Sequence, residues 1–413
     1  MTRRRWVVAL VVLALFAAGA AVAGIVVWNE RNPGTIRGSA SLEFETSEAP
    51  GATTRPERTV REIPWPTYGY DDARTRFAPD FRLRPPFERL WRVRAGSLLE
   101  FPPVVAYGRL YFGTNNGRFL AVEGETGNIA WEKDFGLCTA ASPVVADGVV
   151  YQGLMDPHPC REHDQDAPGF MVAMDAETGE ELWRFRAGVI ESSPLLLDGV
   201  LYFGSWDKKM YALDVETQEV EWTFETGDKI KSAPAYARGT IFFGSYDDKV
   251  YAVEARTGEL LWEAGGVGNF YANPAVAYGR VFIGNTDGRV YAFGARSGRL
   301  LWARATGDFV YSSAAVWNRT VYAGSYDGRL YALDAGTGDV RWSFDAGGSI
   351  SGAPTVVAGL VYFSTLEERT FALDARSGRK VWEFPDGQYT PVSADEERLY
   401  LTGYKRIYGL EPR

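Results

Sequence analysis

A tryptophan recurs along the chain at nearly constant spacing, and this regularity restricts the fold more than any other feature. Successive copies are 40, 52, 39, 40, 40, 40 and 40 residues apart. The eight copies are Trp91, Trp131, Trp183, Trp222, Trp262, Trp302, Trp342 and Trp382. A period of about 40 residues is typical of propeller blades, whereas a linear β-solenoid has shorter periods. The sequence therefore predicts eight repeated units.

Each unit has the pattern of a four-stranded antiparallel sheet. In the unit that ends at Trp342, the strand-like phrase Tyr331 to Asp334 precedes a Thr337-Gly338 turn. An Asp327-Gly328 pair, which favours a two-residue hairpin, separates this phrase from the strand before it. The composition, with 14% aromatic residues and 45 glycines, suits short strands and tight turns. The predicted class is all-β.

The two ends of the repeat indicate that the units close into a ring. Trp91 comes first, as a lone last strand, and the final unit stops after Ile407 to Leu410 without a tryptophan. We expect a strand around Leu90 to Arg94 to complete the eighth blade, because a shared blade removes the open edges of a partial ring. The prediction is an eight-bladed β-propeller over residues 87–413, with four-stranded antiparallel blades and closure by an N-terminal strand.

The N-terminus predicts one transmembrane helix. Arg3, Arg4 and Arg5 precede an apolar run from Trp6 to Trp28, which at about 1.5 Å per residue spans a hydrocarbon core of roughly 30 Å. Because arginines remain on the cytoplasmic side, the rest of the chain is expected outside, anchored to the cell membrane by residues 1–28. A cleavable signal peptide ending at Ala21-Val22-Ala23 is the alternative and would make the protein secreted.

Two segments separate this helix from the repeats. Residues 29–62 are rich in Pro, Gly, Thr, Ser and charge, with few large apolar side chains, which predicts a flexible linker. Residues 63–86 contain more aromatic side chains, and we expect them to pack on the rim of the propeller.

Charge, cysteine and histidine content limit the chemistry. A net charge of −9 disfavours nucleic acid as a partner. Cys138 and Cys160 are the only cysteines, and in an exported chain we expect a disulfide rather than two free thiols. His158 and His163 flank Cys160, a pattern that zinc or copper could use, but a disulfide-closed loop is the preferred interpretation, without a metal.

The repeats resemble a known family. The phrase Tyr-Ala-Leu-Asp-x-x-Thr-Gly-x-x-x-Trp at Tyr331 to Trp342, nearly repeated at Tyr211 to Trp222, is similar to the tryptophan-docking repeat of the pyrroloquinoline quinone (PQQ) dehydrogenase superfamily. Trp65 to Gly69, with Arg76, resembles the phrase that opens such domains. The resemblance implies an eight-bladed propeller whose tryptophans dock one blade against the next. It covers both quinone enzymes and non-catalytic BamB-like proteins.

The expected marks of quinone catalysis are missing. The resemblance implies that such an enzyme would carry an adjacent Cys-Cys pair and a Glu/Asn/Asp set for Ca²⁺, which needs several oxygen ligands, yet Cys138 and Cys160 are far apart in sequence. Both histidines lie in one loop, which disfavours a Ser-His-Asp triad elsewhere. We therefore expect no catalytic residues and no cofactor, with PQQ and calcium as the alternative.

One position varies while its neighbours repeat. Three residues before the Pro (or, once, Ala) that opens each first strand, the chain has Glu100, Glu191, Lys231, Tyr271, Tyr311 and Ser351, among others. Loops at one mouth of a propeller converge, so these residues predict a rim that faces a ligand or partner. The alternative is an exposed turn that drifts freely.

These observations lead to a hypothesis with two alternatives. The preferred one is a membrane-anchored, extracytoplasmic scaffold that binds a cell-envelope protein or polysaccharide. The first alternative is a PQQ-dependent dehydrogenase of alcohols or sugars. The second is a glycan-binding sensor in which Trp206, Tyr246 and Tyr326, if exposed, stack on sugars; the preferred interpretation of these three side chains is that they pack within the hairpins.

Overall fold

All regular secondary structure in the computed structural model, which describes residues 34–46, 62–157 and 167–413, is β-strand. The strands form eight antiparallel sheets of four strands each, and one of them carries an additional parallel strand. The predicted eight-bladed, all-β propeller is confirmed. No helix within these ranges is long and apolar enough to span a membrane, and the helix predicted over residues 1–28 falls outside them.

The blades follow one another along the chain, and each runs from its first strand at the axis to its last strand outside. Blade 1 contains β3 (Val104–Ala106), β4 (Arg109–Gly113), β5 (Arg118–Glu123) and β6 (Ile129–Asp134); blade 2 contains β7 (Val144–Ala146), β8 (Val149–Leu154), β9 (Pro168–Asp175) and β10 (Glu181–Gly188). Blade 3 contains β11 (Leu195–Leu197), β12 (Val200–Gly204), β13 (Lys209–Asp214) and β14 (Val220–Glu225); blade 4 contains β15 (Ala235–Ala237), β16 (Thr240–Gly244), β17 (Lys249–Glu254) and β18 (Leu260–Gly265).

The second half of the ring repeats this order. Blade 5 contains β19 (Ala275–Ala277), β20 (Arg280–Gly284), β21 (Arg289–Gly294) and β22 (Leu300–Ala305); blade 6 contains β23 (Ala315–Trp317), β24 (Thr320–Gly324), β25 (Arg329–Asp334) and β26 (Val340–Asp345). Blade 7 contains β27 (Thr355–Val357), β28 (Leu360–Thr365), β29 (Arg369–Asp374) and β30 (Lys380–Phe384), with β1 (Phe77–Ala78) added to β27; blade 8 contains β31 (Val392–Ala394), β32 (Leu399–Thr402), β33 (Arg406–Pro412) and β2 (Phe87–Arg94).

The ring closes as the sequence predicts. Strand β2 pairs antiparallel with β33, with Trp91 opposite Gly409, so the first blade strand of the chain completes the last blade. The apolar cores lie between neighbouring blades; one cluster, for example, joins Phe282 of blade 5 to Leu333 of blade 6. Because each blade needs a neighbour on both faces, closure buries the two faces that an open array would expose.

The Asp-x-x-Thr-Gly phrase builds the turn onto which the preceding blade docks. The Asp334 carboxylate accepts hydrogen bonds from the Gly336 amide at 2.8 Å and the Thr337 amide at 3.0 Å, and Gly338 adopts a φ of 74°. Trp302 of blade 5 packs on this glycine, and its Nε1 donates to the Ala335 carbonyl at 3.1 Å.

Six of the repeated tryptophans make this same contact. In each case the indole packs on the turn glycine of the next blade and donates to a backbone carbonyl there over 2.9–3.2 Å. The six are Trp91, Trp131, Trp222, Trp262, Trp302 and Trp342. Trp183 faces a different turn, because blade 3 has Gln218 at the position of the glycine, with φ of 61°, and a side chain there prevents the same close approach.

Part of the expected linker is packed against the propeller. Residues 34–46 lie along blades 5 and 6, where the Ile36 and Ala303 amides and carbonyls bond to each other at 2.8 and 3.0 Å. Phe44 stacks on Tyr278 with ring centroids 5.3 Å apart. The buried guanidinium of Arg280 donates to backbone carbonyls of this segment. Residues 34–46 of the predicted linker are therefore held by these apolar and charged anchors; residues 29–33 and 47–61 lie outside the described ranges.

The lead-in to the propeller also differs from its prediction. Residues 62–83, which we call the central segment, run around the axis against the first strands of the blades, whereas the sequence analysis expects residues 63–86 on the rim of the propeller. Their backbone bonds, in order, to Val105, Val145, Tyr236, Val276, Val316 and Val356 of six blades. First strands present unpaired N–H and C=O groups toward the axis, and the central segment satisfies them.

Substituting Gly338 by Ala tests the docking of Trp302. A Cβ at Gly338 would lie 2.7 Å from the indole. We expect a loss of about 1 kcal/mol from the positive φ and a further loss of about 2 kcal/mol from the clash. Gly347→Ala is the matched control, since Gly347 has φ of 69° and a Cβ added there would meet no atom within 4 Å. Equal losses in urea unfolding would contradict this role of the indole.

Candidate functional site

The residues predicted to form a rim converge at one mouth of the propeller. They line a single cavity of about 40 Å³, which we call the mouth pocket. The rim residues in it are Glu100, Glu191, Lys231, Tyr271, Tyr311 and Ser351. Tyr68 and Tyr389, which the sequence analysis did not select, also line the pocket. Tyr68 belongs to the central segment, and Tyr389 belongs to the irregular loop before blade 8.

A repeating belt of hydrogen bonds holds these loops in register. Ser192 Oγ donates to the Ser232 carbonyl at 3.0 Å, and Ser232 Oγ donates to the Ala272 carbonyl at 3.1 Å. The Asn273 amide in turn donates to Ser313 Oγ at 2.9 Å. Each bond joins residues 40 apart in sequence. Because these bonds hold the backbone of the loops, the side chain at the neighbouring rim position can vary while the loops keep their structure.

An ion pair joins two adjacent blades in the mouth pocket. Lys231 Nζ lies 2.7 Å from Glu191 Oε2, and both side chains are largely buried. Trp206 Nε1 donates to the same oxygen at 3.1 Å, and Lys231 Nζ lies 4.6 Å from the centre of a Trp206 ring. Trp206 is only 3% exposed, so its indole packs against the pair, as in the preferred interpretation, and is not available for stacking on a sugar.

Glu100 is the second carboxyl group of the mouth pocket. Burial raises the pKa of Glu100 to about 7, with a further increase from the nearby Glu191 charge and a partial offset from Lys231. Glu100 is therefore poised to change charge near neutral pH.

Tyrosine rings form a continuous wall beside these charges. Tyr271 meets Tyr311 edge to face at 5.1 Å between centroids and meets Tyr246 at 6.1 Å. Tyr311 contacts Tyr326 in the same way at 5.0 Å. Burial, followed by the Glu191 and Glu100 charges, holds the pKa of Tyr271 well above its usual value, so this wall is neutral at physiological pH.

Tyr68 closes the floor of the mouth pocket. The Arg76 guanidinium lies 4.7 Å from the centre of its ring. Burial raises the pKa of Tyr68, but the Arg76 charge and hydrogen bonds with Arg76, Thr390 and Ser313 outweigh that effect and lower the pKa overall. The axis is thus filled by protein side chains below the pocket.

Arg74 secures the central segment to the propeller. Its guanidinium donates to the carbonyls of Pro194 and Pro234, each at 3.0 Å, and to Thr67 Oγ1 at 2.6 Å. Burial and the neighbouring charge of Arg76 lower the pKa of Arg74 to about 10, so it remains a cation at neutral pH. These bonds connect the central segment to blades 3 and 4.

A larger cavity of about 1270 Å³ lies at the other end of the first strands. Residues from the 34–46 segment, the central segment and blades 4 to 6 line it, including Phe44, Asp71 and Tyr278. Burial raises the pKa of Asp71 to about 6, against hydrogen bonds from Thr75 that lower it. The sequence analysis missed this cavity because two of its walls come from segments outside the repeats.

The mouth pocket does not fit PQQ with calcium. Ligand cavities of drug-sized molecules measure roughly 300–1,000 Å³, far above the 40 Å³ here. Within the described residues, no three Asp, Glu, His or Cys side chains are grouped as metal ligands. The larger cavity has sufficient volume, but the described residues that line it also include no group of three metal ligands.

The cysteine loop is described only in part. Cys138 is buried and disulfide-bonded, while Cys160, His158 and His163 fall outside the described ranges. The Cys138–Cys160 pairing and the alternative metal site therefore remain predictions.

Comparison with known proteins places the chain in a family. A family model described as outer membrane protein assembly factor BamB matches residues 88–156, 165–233 and 222–411. The chain belongs to this family. A BamB from Yersinia pestis is 28% identical over 136 residues, which cover 30% of this chain and 31% of that protein. The dehydrogenase subunit of a quinone alcohol dehydrogenase from Komagataeibacter europaeus is 30% identical over 209 residues, 40% of this chain and 26% of that protein.

Solved structures show the same BamB-like fold. BamB from Moraxella catarrhalis aligns with a TM-score of 0.62 at 16% identity, covering 79% of this chain and 97% of that one. Quinohemoprotein alcohol dehydrogenase from Comamonas testosteroni aligns with a TM-score of 0.69 at 16% identity, covering 91% and 83%. The chain spans about a quarter to a third of the curated relatives it matches.

Breaking the buried ion pair should destabilise the propeller more than replacing it. We expect Lys231→Met to lower the free energy of unfolding by about 3 kcal/mol, because Glu191 is left buried without its cation. The double variant Glu191→Gln/Lys231→Met should lose less, since the glutamine oxygen still accepts from Trp206. Urea unfolding followed by tryptophan fluorescence measures both. A double variant as unstable as the single one would contradict this interpretation.

Proposed function

We propose that this protein is an extracytoplasmic binding scaffold that presents its mouth pocket to partner proteins of the cell envelope. The observation that carries the proposal is the contrast at the mouth, where a repeating belt of hydrogen bonds lies beside six rim positions that carry four different types of side chain. A structural repeat alone does not require such variety, whereas recognition of one partner does. Membership of the BamB family, whose model is described as an assembly factor, supports the same class of function.

The location of the protein forms part of this proposal. Three arginines followed by an apolar run up to Trp28 support a single membrane anchor with the propeller on the extracytoplasmic side. The disulfide at Cys138 supports an oxidising compartment.

A quinone-dependent alcohol dehydrogenase is the second candidate. Its support comes from relatives of that class, which match 40% of this chain in one case. Against it stand the small volume of the mouth pocket and the separation of Cys138 from Cys160 in sequence. We prefer the scaffold because it requires only a varied set of side chains at one mouth of the propeller, and such a set lines the pocket.

Crosslinking in membranes tests the scaffold. We expect the full-length protein to capture envelope proteins and the Glu191→Ala/Lys231→Ala variant to capture them at least about tenfold less, equivalent to 1.4 kcal/mol. The control is Lys249→Ala/Glu263→Ala, which removes an exposed ion pair of 2.7 Å on the outer part of blade 4. Equal capture by the rim variant, with folding verified by its unfolding curve, would exclude the mouth as the binding face.

Addition of PQQ and Ca²⁺ to the purified protein tests the alternative. We expect no reduction of an artificial electron-accepting dye with alcohol or sugar substrates and no absorbance from bound quinone, because the mouth pocket is too small to admit the cofactor and the described residues around the larger cavity include no group of metal ligands for Ca²⁺. Dye reduction that requires both additions would reject the scaffold as the main function.

A further inference from the structure

Two carboxyl groups line the mouth pocket, but only one cation pairs with them. Lys231 is 2.7 Å from Glu191, which also accepts from Trp206. Glu100 forms no hydrogen bond or ion pair with another residue of the described part of the chain. A carboxylate that is partly removed from water and left unpaired is costly, so Glu100 is available to an incoming cation.

The aromatic wall next to Glu100 is already used to hold ammonium groups. Lys229 Nζ lies 4.7 Å from the centre of a Trp206 ring and 4.8 Å from that of Tyr246, and Lys231 Nζ lies 5.6 Å from the centre of Tyr271. Such distances are those of cation–π contacts. Tyr271 and Tyr311 continue this wall deeper around the pocket, where a further ammonium group would meet both rings and a carboxylate.

The small size of the pocket favours a compact cation. The mouth pocket measures about 40 Å³, and a primary ammonium is a compact charge with three hydrogen-bond donors. We propose that the mouth pocket binds the ammonium group of a lysine presented by the partner, between the Glu100 carboxylate and the rings of Tyr271 and Tyr311. This inference rests on the proposed scaffold function.

The surface around the pocket favours a protein lysine over a free amine. Phe309 is 45% exposed and lies on the mouth loop between blades 5 and 6. Its ring contacts Tyr311, which lines the pocket, at 5.8 Å between centroids. This exposed ring can pack against the hydrocarbon stem and flanking residues of a partner lysine, which a small free amine does not possess.

The charge state of Glu100 should make binding dependent on pH. Glu191, Lys231, Tyr271 and Tyr389 are the titratable groups that face it. Because burial raises the pKa of Glu100 to about 7, the carboxylate is mostly protonated at pH 6 and mostly ionised at pH 8. A lysine ammonium, with a pKa of about 10.4, stays charged over that range. Binding should therefore strengthen as pH rises from 6 to 8.

Calorimetric titration of the full-length protein with n-butylammonium, an analogue of the lysine side chain, tests the site. We expect saturable binding that strengthens from pH 6 to pH 8, and a weakening of about tenfold or more in Glu100→Gln, corresponding to 1.4 kcal/mol. Glu225→Gln, which removes an exposed carboxylate from the last strand of blade 3, is the matched control and should bind normally. n-Butanol, a neutral molecule of similar length, should not bind.

Unchanged binding in Glu100→Gln, absence of the pH dependence, or equal binding of n-butanol would overturn the ammonium site. Acetylating the lysines of the captured envelope proteins distinguishes a partner lysine from a free amine as the source of the ammonium group. We expect acetylation to abolish recapture of these proteins. If capture survives both acetylation and Glu100→Gln but is lost in Glu191→Ala/Lys231→Ala, the scaffold function stands and the lysine inference fails. If n-butylammonium binds at Glu100 but no envelope protein is captured, the proposed function fails and a free amine replaces the partner lysine.

Discussion

The packing of a tryptophan on the turn of the next blade is the contact on which the propeller depends. A blade is a sheet with two apolar faces, so its stability requires a neighbour on each side, and the indole sets the distance and angle of that neighbour. The contact is close, since a Cβ added at Gly338 would lie 2.7 Å from the Trp302 indole. Six of the eight tryptophans repeat this geometry around the ring, and the pairing of β2 with β33 completes the last blade. Closure thus depends on both the docking geometry and the N-terminal strand.

The axis presents a second constraint. Eight first strands surround it, and each would leave polar backbone groups facing an empty channel. The central segment supplies their partners at six blades, and Arg74 caps carbonyls at blades 3 and 4. Filling the axis in this way separates the two ends of the propeller. A small pocket lies at one mouth and a larger cavity lies at the other end of the first strands.

The parts predicted correctly from the sequence are those that repeat. Eight spaced tryptophans, the Asp-x-x-Thr-Gly turns and the missing last tryptophan were sufficient for the blades and their closure, and the alignment of the repeats located six residues that meet in one pocket. The segments outside the repeats were predicted poorly. Residues 34–46 resemble a linker in composition, yet single side chains such as Phe44 anchor them. For Trp206, nothing in its own repeat reveals the Glu191 carboxylate and Lys231 ammonium that its indole contacts.

Departures from the repeat are where specificity can arise. If every blade carried the same rim residue, the mouth would be symmetric and could not hold a partner in one orientation. Glu191 and Lys231 occupy the same position in successive loops, and their opposite charges form a pair that no identical repeat could form. The next two loops carry Tyr271 and Tyr311, whose rings meet at 5.1 Å between centroids. Successive loops thus present different chemistry, first charge and then aromatic surface, on a frame that is otherwise nearly symmetric.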